Sequence, residues 1–189
     1  MKVDIFNTDK KYNIIYADPP WQFSAWSNKA HKHVSKHYST MTIQKIMELP
    51  VEQIAADNAV LFLWTTFPML PLALETIKVW GFTYKTCAFT WVKQNKKSPT
   101  LFWGMGYYTR SYAEVCLLAT KGKPLPRISH KVHSVIVSPV EEHSKKPSEA
   151  RARITQLFGD IPRIELFARQ QAEGWDCFGN ETDKFSKEE

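Results

Sequence analysis

The sequence predicts an α/β fold, a mostly parallel sheet flanked by helices, as one domain spanning residues 1–189. Three observations carry that expectation. Short apolar runs alternate with stretches whose apolar residues recur at helical spacing. Residues 59–64 (AVLFLW) form a continuous apolar run, as in a strand buried on both faces. Residues 13–17 (NIIYA) are β-rich and stop at Asp18-Pro19-Pro20, which sets polar groups at the carboxyl end of a strand. Ligands bind outside such ends in open α/β sheets.

The elements follow in chain order. Residues 13–17 give a first strand. Residues 42–56 carry a helical pattern interrupted at Pro50. Residues 59–64 give the buried strand. Residues 70–80 read as a helix stopped by Gly81. Residues 86–92 (TCAFTWV) and 112–119 (YAEVCLLA) are β-branched, aromatic or apolar and read as strands, the latter closed by Lys121-Gly122-Lys123-Pro124. Residues 148–158 place Ala150, Ile154, Leu157 and Phe158 at helical spacing ahead of Gly159. Residues 163–167 and 175–178 close the sheet as a final pair of strands. Two long segments, 22–40 and 94–110, read as loops. Loops of that length in a compact domain are functional or mobile.

A length of 189 residues suffices for a sizeable core, and 43% hydrophobic content is ordinary for a globular chain. The 13% aromatic content, with seven Trp, can fill that core or offer surfaces for base stacking. A net charge of +6 and a pI of about 9.2 permit an anionic partner without requiring one. Cys87, Cys116 and Cys177 are odd in number and lack CxxC pairing, which argues against a disulfide framework or zinc ribbon. Cys87 and Cys116 lie in apolar runs and read as buried small hydrophobes. No signal peptide and no membrane-length apolar stretch is evident, so a soluble, cytoplasmic protein without a membrane partner is expected.

The most informative stretch is Asp18-Pro19-Pro20-Trp21. As a bland feature it is a strand ending in a Pro-Pro turn with a capping Asp. A pattern of acid or amide, Pro, Pro and aromatic arises by chance roughly once in a few hundred chains of this length. Other pieces accompany it in order: Tyr38-Ser39-Thr40-Met41, Leu61-Phe62-Leu63-Trp64-Thr65, Gly104-Met105-Gly106-Tyr107 leading to Arg110 and Glu114, Lys146-Pro147, Glu165-Leu166-Phe167-Ala168-Arg169, Gly174-Trp175 and Gly179-Asn180-Glu181. Together, over nearly the whole chain, the set resembles the MT-A seventy family of N6-adenine methyltransferases. Without an appended recognition domain, it is most similar to the stand-alone phage or bacterial DNA branch.

The resemblance implies a Rossmann-like methyltransferase fold with permuted motif order and transfer of a methyl group from S-adenosylmethionine to adenine N6. An RNA N6-adenosine methyltransferase, or a catalytically silent nucleic-acid-binding partner subunit, stays open. The residue types suit the main reading. An adenine amine is a poor nucleophile because its lone pair is delocalised into the ring. A carboxylate beside a rigid carbonyl can accept both amine hydrogens, and an aromatic can stack on the base. Asp18, the Pro19 carbonyl and Trp21 offer that set, with Pro19 and Pro20 limiting the backbone. Strong base catalysis is not required, since the proton becomes acidic only as the methyl group arrives.

For the cofactor the resemblance implies that Asp18 faces the methionine amine and Lys146 meets the carboxylate, ahead of the helix begun by Pro147. A cation and a helix N-terminus both favour an anion. Lys146 also reads as one charge of a solvated Lys145-Lys146 pair. Glu165 and Phe167 lie in the segment that takes the place of a glycine-rich cofactor loop, with Ala168 where Gly is frequent. Arg169 and Gln171 are implied near the ribose and carboxylate, Asn180 and Glu181 at the ribose hydroxyls, and Asp4 and Ile5 beside the cofactor adenine. Glu114 in an apolar run is expected to form a buried pair with Arg110 or another cation rather than to act directly.

A duplex base cannot present its amine to a closed site, so the partner is nucleic acid with a flipped or unpaired adenine. Lys29, Lys32, Lys36, Lys96, Lys97 and Arg110 are candidates for phosphate contacts, and Trp26, Tyr38 and Trp103 for stacking. A homodimer that enlarges this surface is a further expectation. His31, His33 and His37 match no common zinc spacing, and no metal is expected. His130, His133 and His143 read as a surface patch near the cofactor pocket.

Overall fold

A computed structural model of the chain describes residues 1–22, 41–106, 108–141 and 145–182. Strand β1 (Tyr12–Ala17) is followed by α1 (Ile43–Met47), α2 (Val51–Ile54) and β2 (Ala55–Thr65). A 3-10 turn at Phe67–Met69 leads into α3 (Leu70–Val79), β3 (Thr83–Gln94), β4 (Ala113–Lys121) and β5 (Val135–Pro139). Helix α4 (Ser148–Phe158), β6 (Arg163–Leu166) and β7 (Asp176–Phe178) complete the order. The seven strands form one sheet, ordered β5-β3-β4-β2-β1-β6-β7. Its ladders are parallel except those of β4 with β2 and β3.

Alternation along the central strands builds two cores. Ile15, Ala17, Leu61, Leu63 and Leu166 point to one face, where Ile46, Val51, Ala73, Ile77 and Trp80 of the α1–α3 layer cover them. Ile14, Tyr16, Phe62, Trp64 and Ile136 point to the other, under Ala150 and Ile154 of α4 and Trp175. β1 and β2 are therefore covered on both faces, which is why they read as continuous apolar runs. Helix α3 stops at Gly81, whose φ of 78° is left-handed. The Phe82 N–H then bonds the Ile77 carbonyl, closing the last turn.

Several expectations needed correction. The helix expected over 42–56 is two short helices, capped by Thr42 and broken at Pro50, and Ala55 already belongs to β2. Proline supplies no N–H to continue a helix, and Ala55 pairs with Tyr12 of β1 instead. No strand is expected between residues 119 and 163, yet β5 adds there to the edge of the sheet, beside β3. Only Ile136 of that strand is buried, so its apolar signal is weak. Cys87 is half-buried rather than buried. β6 and β7 are parallel neighbours, and residues 1–3 continue past β7 through a bridge between Lys2 and Cys177.

Candidate active site

The parallel strands bring the ends of β1, β2, β6 and β7 to one edge of the sheet. β1 stands where the chain reverses its lateral progress, with β2 on one side and β6 on the other. A crevice opens at such a point. Asp18 follows β1 directly and lines a pocket with Lys145, Lys146, Arg151, Glu165, Phe167, Arg169 and Gln170.

Lys146 immediately precedes Pro147, the residue from which α4 begins, and its ammonium reaches back to β1. It donates to both carboxylate oxygens of Asp18 at 2.8 Å. Glu114 of β4 lies 3.2 Å from the same nitrogen, and Lys93 of β3 bonds the other oxygen of Glu114. The result is a line of alternating charge: Asp18, Lys146, Glu114, Lys93. Burial pushes the Asp18 carboxyl up, opposed by Lys146 and reinforced by Glu114. Glu114 meets a burial penalty too, but two ammonium groups outweigh it and lower its pKa to about 2. The same carboxylates raise Lys146 above the ordinary lysine range, against the effect of its burial.

The Asp-Pro-Pro-Trp backbone folds tightly on itself. The Pro19 carbonyl accepts the Trp21 N–H at 2.8 Å, and the Pro20 carbonyl accepts that of Met41 at 3.3 Å. Trp21 corrects an expectation. Its ring is 9% exposed in the core, and its indole N–H donates to the Trp64 carbonyl. It anchors the motif to β2 instead of offering an open face for a base. Trp64 in turn donates to the Tyr16 hydroxyl and lies beneath Lys146 at 5.7 Å. Ile5 is also buried in the core, whereas Asp4 is exposed in the turn beyond β7 and accepts the Phe6 N–H.

At the end of β6, Glu165 is held by the Arg151 guanidinium of α4, with both oxygens 3.1 Å from one nitrogen. Burial dominates its titration and pushes the carboxyl up to about 7, with Arg151 opposing and Asp18 adding to the rise. Phe167 follows at a φ of 61°, a left-handed conformation rare for an aromatic. It turns the chain so that Ala168 bonds the Phe178 carbonyl. Gly179 lies so near that a Cβ there would stand 2.4 Å from the Ala168 oxygen. Arg169 donates to Glu181 at 3.1 Å, joining two residues singled out from sequence, while Gln171 and Asn180 are exposed beside them.

Residues 94–106 and 108–110 are more ordered than a plain loop. Phe102 bonds the Lys93 carbonyl, and Gly104 and Ser111 exchange backbone bonds, so the segment doubles back over the end of β3. Glu114 forms the expected buried pair, with Lys93 and Lys146 as its cations and not Arg110. The Arg110 guanidinium stacks on the Trp103 ring at 4.0 Å. Trp103 is 54% exposed, and Lys96, Lys97 and Arg110 are exposed with it. Trp26, Lys29, Lys32, Lys36 and Tyr38 lie outside the described residues, as do His31, His33, His37 and His143. His130 and His133 are exposed.

Two groups escaped the sequence reading. Lys93 ends an apolar strand pattern, and Arg151 lies on the core side of α4 beside Ala150. A charge inside an apolar period needs a buried counter-charge. That rule points to Glu114 and Glu165, which sit in apolar runs of their own.

Known proteins share this arrangement of sequence. The MT-A70 family matches residues 12–181. The chain is 35% identical to the type II methyltransferase M.MunI of Mycoplasma sp over 91% of its own length and 78% of that protein. It is 29% identical to an N(6)-adenosine-methyltransferase MT-A70-like protein of Arabidopsis thaliana over 95% of its length, but spans only 24% of that relative. It is 30% identical to the human N(6)-adenine-specific methyltransferase METTL4, covering 96% of this chain and 39% of that one. The chain belongs to the MT-A70 family.

Proposed function

We propose that the protein transfers a methyl group from S-adenosylmethionine to the N6 amine of an adenine in DNA. The observation that carries this reading is the seating of Asp18: a carboxylate at the switch point of the sheet, held by Lys146 on both oxygens. The donor set of the pocket suits a sulfonium amino acid. The Asp18 carboxylate would take its cationic amine, and Lys145 and Arg169 of the same lining would hold its carboxylate, while Lys146 stays on Asp18 and Glu114. Glu181 and Asn180 are the candidates for ribose hydroxyls. When bound, the cofactor supplies an electrophilic methyl group that leaves sulfur as the new carbon–nitrogen bond forms.

Each residue has a task in this reading. Asp18 and the Pro19 carbonyl accept the two amine hydrogens, favouring a pyramidal nitrogen with an available lone pair. The Pro19 carbonyl already accepts one backbone N–H but has a second lone pair to offer. Pro20 and Trp21 fix the motif so that no reorganisation is needed as the bond forms. The amine proton passes to water once nitrogen carries the methyl group. The exposed Trp103–Arg110 stack with Lys96 and Lys97 contacts the strand that presents the base.

DNA is favoured because the similarity extends over 78% of a type II methyltransferase and over only 24% of an adenosine methyltransferase. The test is incubation with S-adenosylmethionine and, separately, duplex DNA, single-stranded DNA and RNA, followed by digestion and mass spectrometry of N6-methyladenine. Product from DNA that vanishes in Asp18→Ala is expected. Product from RNA alone would move the assignment to RNA. No product, together with no cofactor binding by calorimetry, would leave a silent binding subunit.

A further inference from the structure

Lys146 has three ammonium protons, and Asp18 and Glu114 together take its available directions. Glu114 is itself shared, since Lys93 bonds its second oxygen. These four side chains come from the end of β1, the start of α4, β4 and the end of β3, and their side chains are at most 21% exposed. Breaking one contact therefore redistributes the others rather than releasing a charge to water.

We infer that Lys93 and Glu114 are positioning residues for Asp18, acting through Lys146 to fix the place and the charge of the carboxylate at the active site. Lys93 does not touch Asp18. Its own seat is well defined: its ammonium lies 5.0 Å over the Trp91 ring, its N–H donates to Tyr112, and its carbonyl accepts from Phe102. Those backbone bonds hold both stems of the segment that bears Trp103 and Arg110. The outer end of the charge line is thus built into the base of the candidate nucleic-acid surface, and its inner end is the catalytic carboxylate.

The alternation of sign gives the inference a signature that simple packing lacks. Among the described residues, the charged groups around Asp18 are Lys146, Glu114 and Arg169, with Lys145, Glu165 and its partner Arg151 next to them. Removing the Lys93 charge leaves Glu114 unbalanced. It then draws Lys146 away and repels Asp18, so Asp18 protonates at higher pH. Replacing Glu114 by Gln removes that repulsion and leaves Lys146 to Asp18 alone, so Asp18 protonates at lower pH. Two variants that loosen the same contact move one titration in opposite directions.

The inference takes Asp18 as catalytic and so rests on the methyl-transfer reading, but its test does not need activity. Aspartate labelled with ¹³C at the side-chain carboxyl allows Asp18 to be titrated by NMR, its resonance assigned by its loss in Asp18→Asn. Relative to wild type, Lys93→Met is expected to raise the Asp18 midpoint by about one pH unit, and Glu114→Gln to lower it by a similar amount. Lys93→Arg keeps the charge and is expected to return the midpoint to wild type, which separates charge from folding. The acid limb of kcat should move with each midpoint, with KM for nucleic acid within about twofold. Midpoints that stay put, or move in the same direction in both variants, overturn the positioning role. An inactive wild type with the opposed shifts intact would instead sink the methyl-transfer reading alone.

Discussion

The Lys146 ammonium donates to both oxygens of Asp18 at 2.8 Å, joining a residue just before α4 to one just after β1 across 128 positions of sequence. Lys146 also lies between Asp18 and Glu114, two carboxylates that would otherwise face each other in a poorly solvated site. Lys146→Met should therefore destabilise the fold by about 3–5 kcal/mol, the usual effect of stripping one partner from a buried ion pair. Urea unfolding measures it. Adding Asp18→Asn to Lys146→Met should recover part of the loss; a double variant less stable than the single one would mean the two carboxylates do not repel.

Stability should depend on pH in two opposed windows. Glu165 has its pKa raised from 4.5 to about 7 by burial, so the folded state holds a proton that the unfolded state releases. Its contribution is full below about pH 4.5 and is lost as pH rises through 7. Glu114 is lowered to about 2, so its contribution is present above pH 4.5 and lost as pH falls toward 2. Glu165→Gln should flatten the decline between pH 4.5 and 7 in urea midpoints. An unchanged slope in that variant would assign the decline to other groups.

Phe167 adopts a φ of 61°, where a Cβ crowds the backbone. Phe167→Gly should be more stable than Phe167→Ala by about 1 kcal/mol, since both remove the ring and only glycine relieves the strain. Thermal melts of the pair test it. Equal stabilities would show that the turn relaxes when the ring is gone.

The Arg110 guanidinium stacks on Trp103 at 4.0 Å on an exposed surface. Trp103→Ala should weaken single-stranded DNA binding by about 1–3 kcal/mol, the scale of one base–aromatic stack. Arg110→Ala should reduce the salt slope of binding by roughly 0.7–0.9, one phosphate contact. Affinity for S-adenosylmethionine, read by calorimetry, should be unchanged in both. An unaltered DNA affinity in either variant would remove that residue from the interface.

Gly179 approaches the Ala168 backbone too closely for a side chain. Gly179→Ala should push apart the two turns that carry Arg169 and Glu181 and weaken S-adenosylmethionine binding at least about tenfold. Calorimetry against the wild type decides it, and an unchanged affinity would place the cofactor elsewhere.

The sequence by itself determined most of the sheet and the motif that ends β1. Continuous apolar runs fix the central stretches of β1 and β2, residues 14–17 and 59–64, because a strand stretch covered on both faces is apolar on both. Helix α4 is read to its last residue because Ala150, Ile154 and the following Gly159 leave one arrangement. Edge strand β5 was hidden, because one buried residue in five carries little periodicity. Short-range patterns could not decide partners. That Arg110 would stack on Trp103 and leave Glu114 to Lys93 and Lys146 depends on where strands remote in sequence come to lie. Nor could they show that Trp21 would turn inward to the Trp64 carbonyl. Burial of charge is costly unless it is paired, so the sequence announced that Glu114 needed a partner; only the tertiary structure, by bringing β1, β3, β4 and α4 to one edge, decided which, and it alone showed that Arg151 and Glu165 are paired as well.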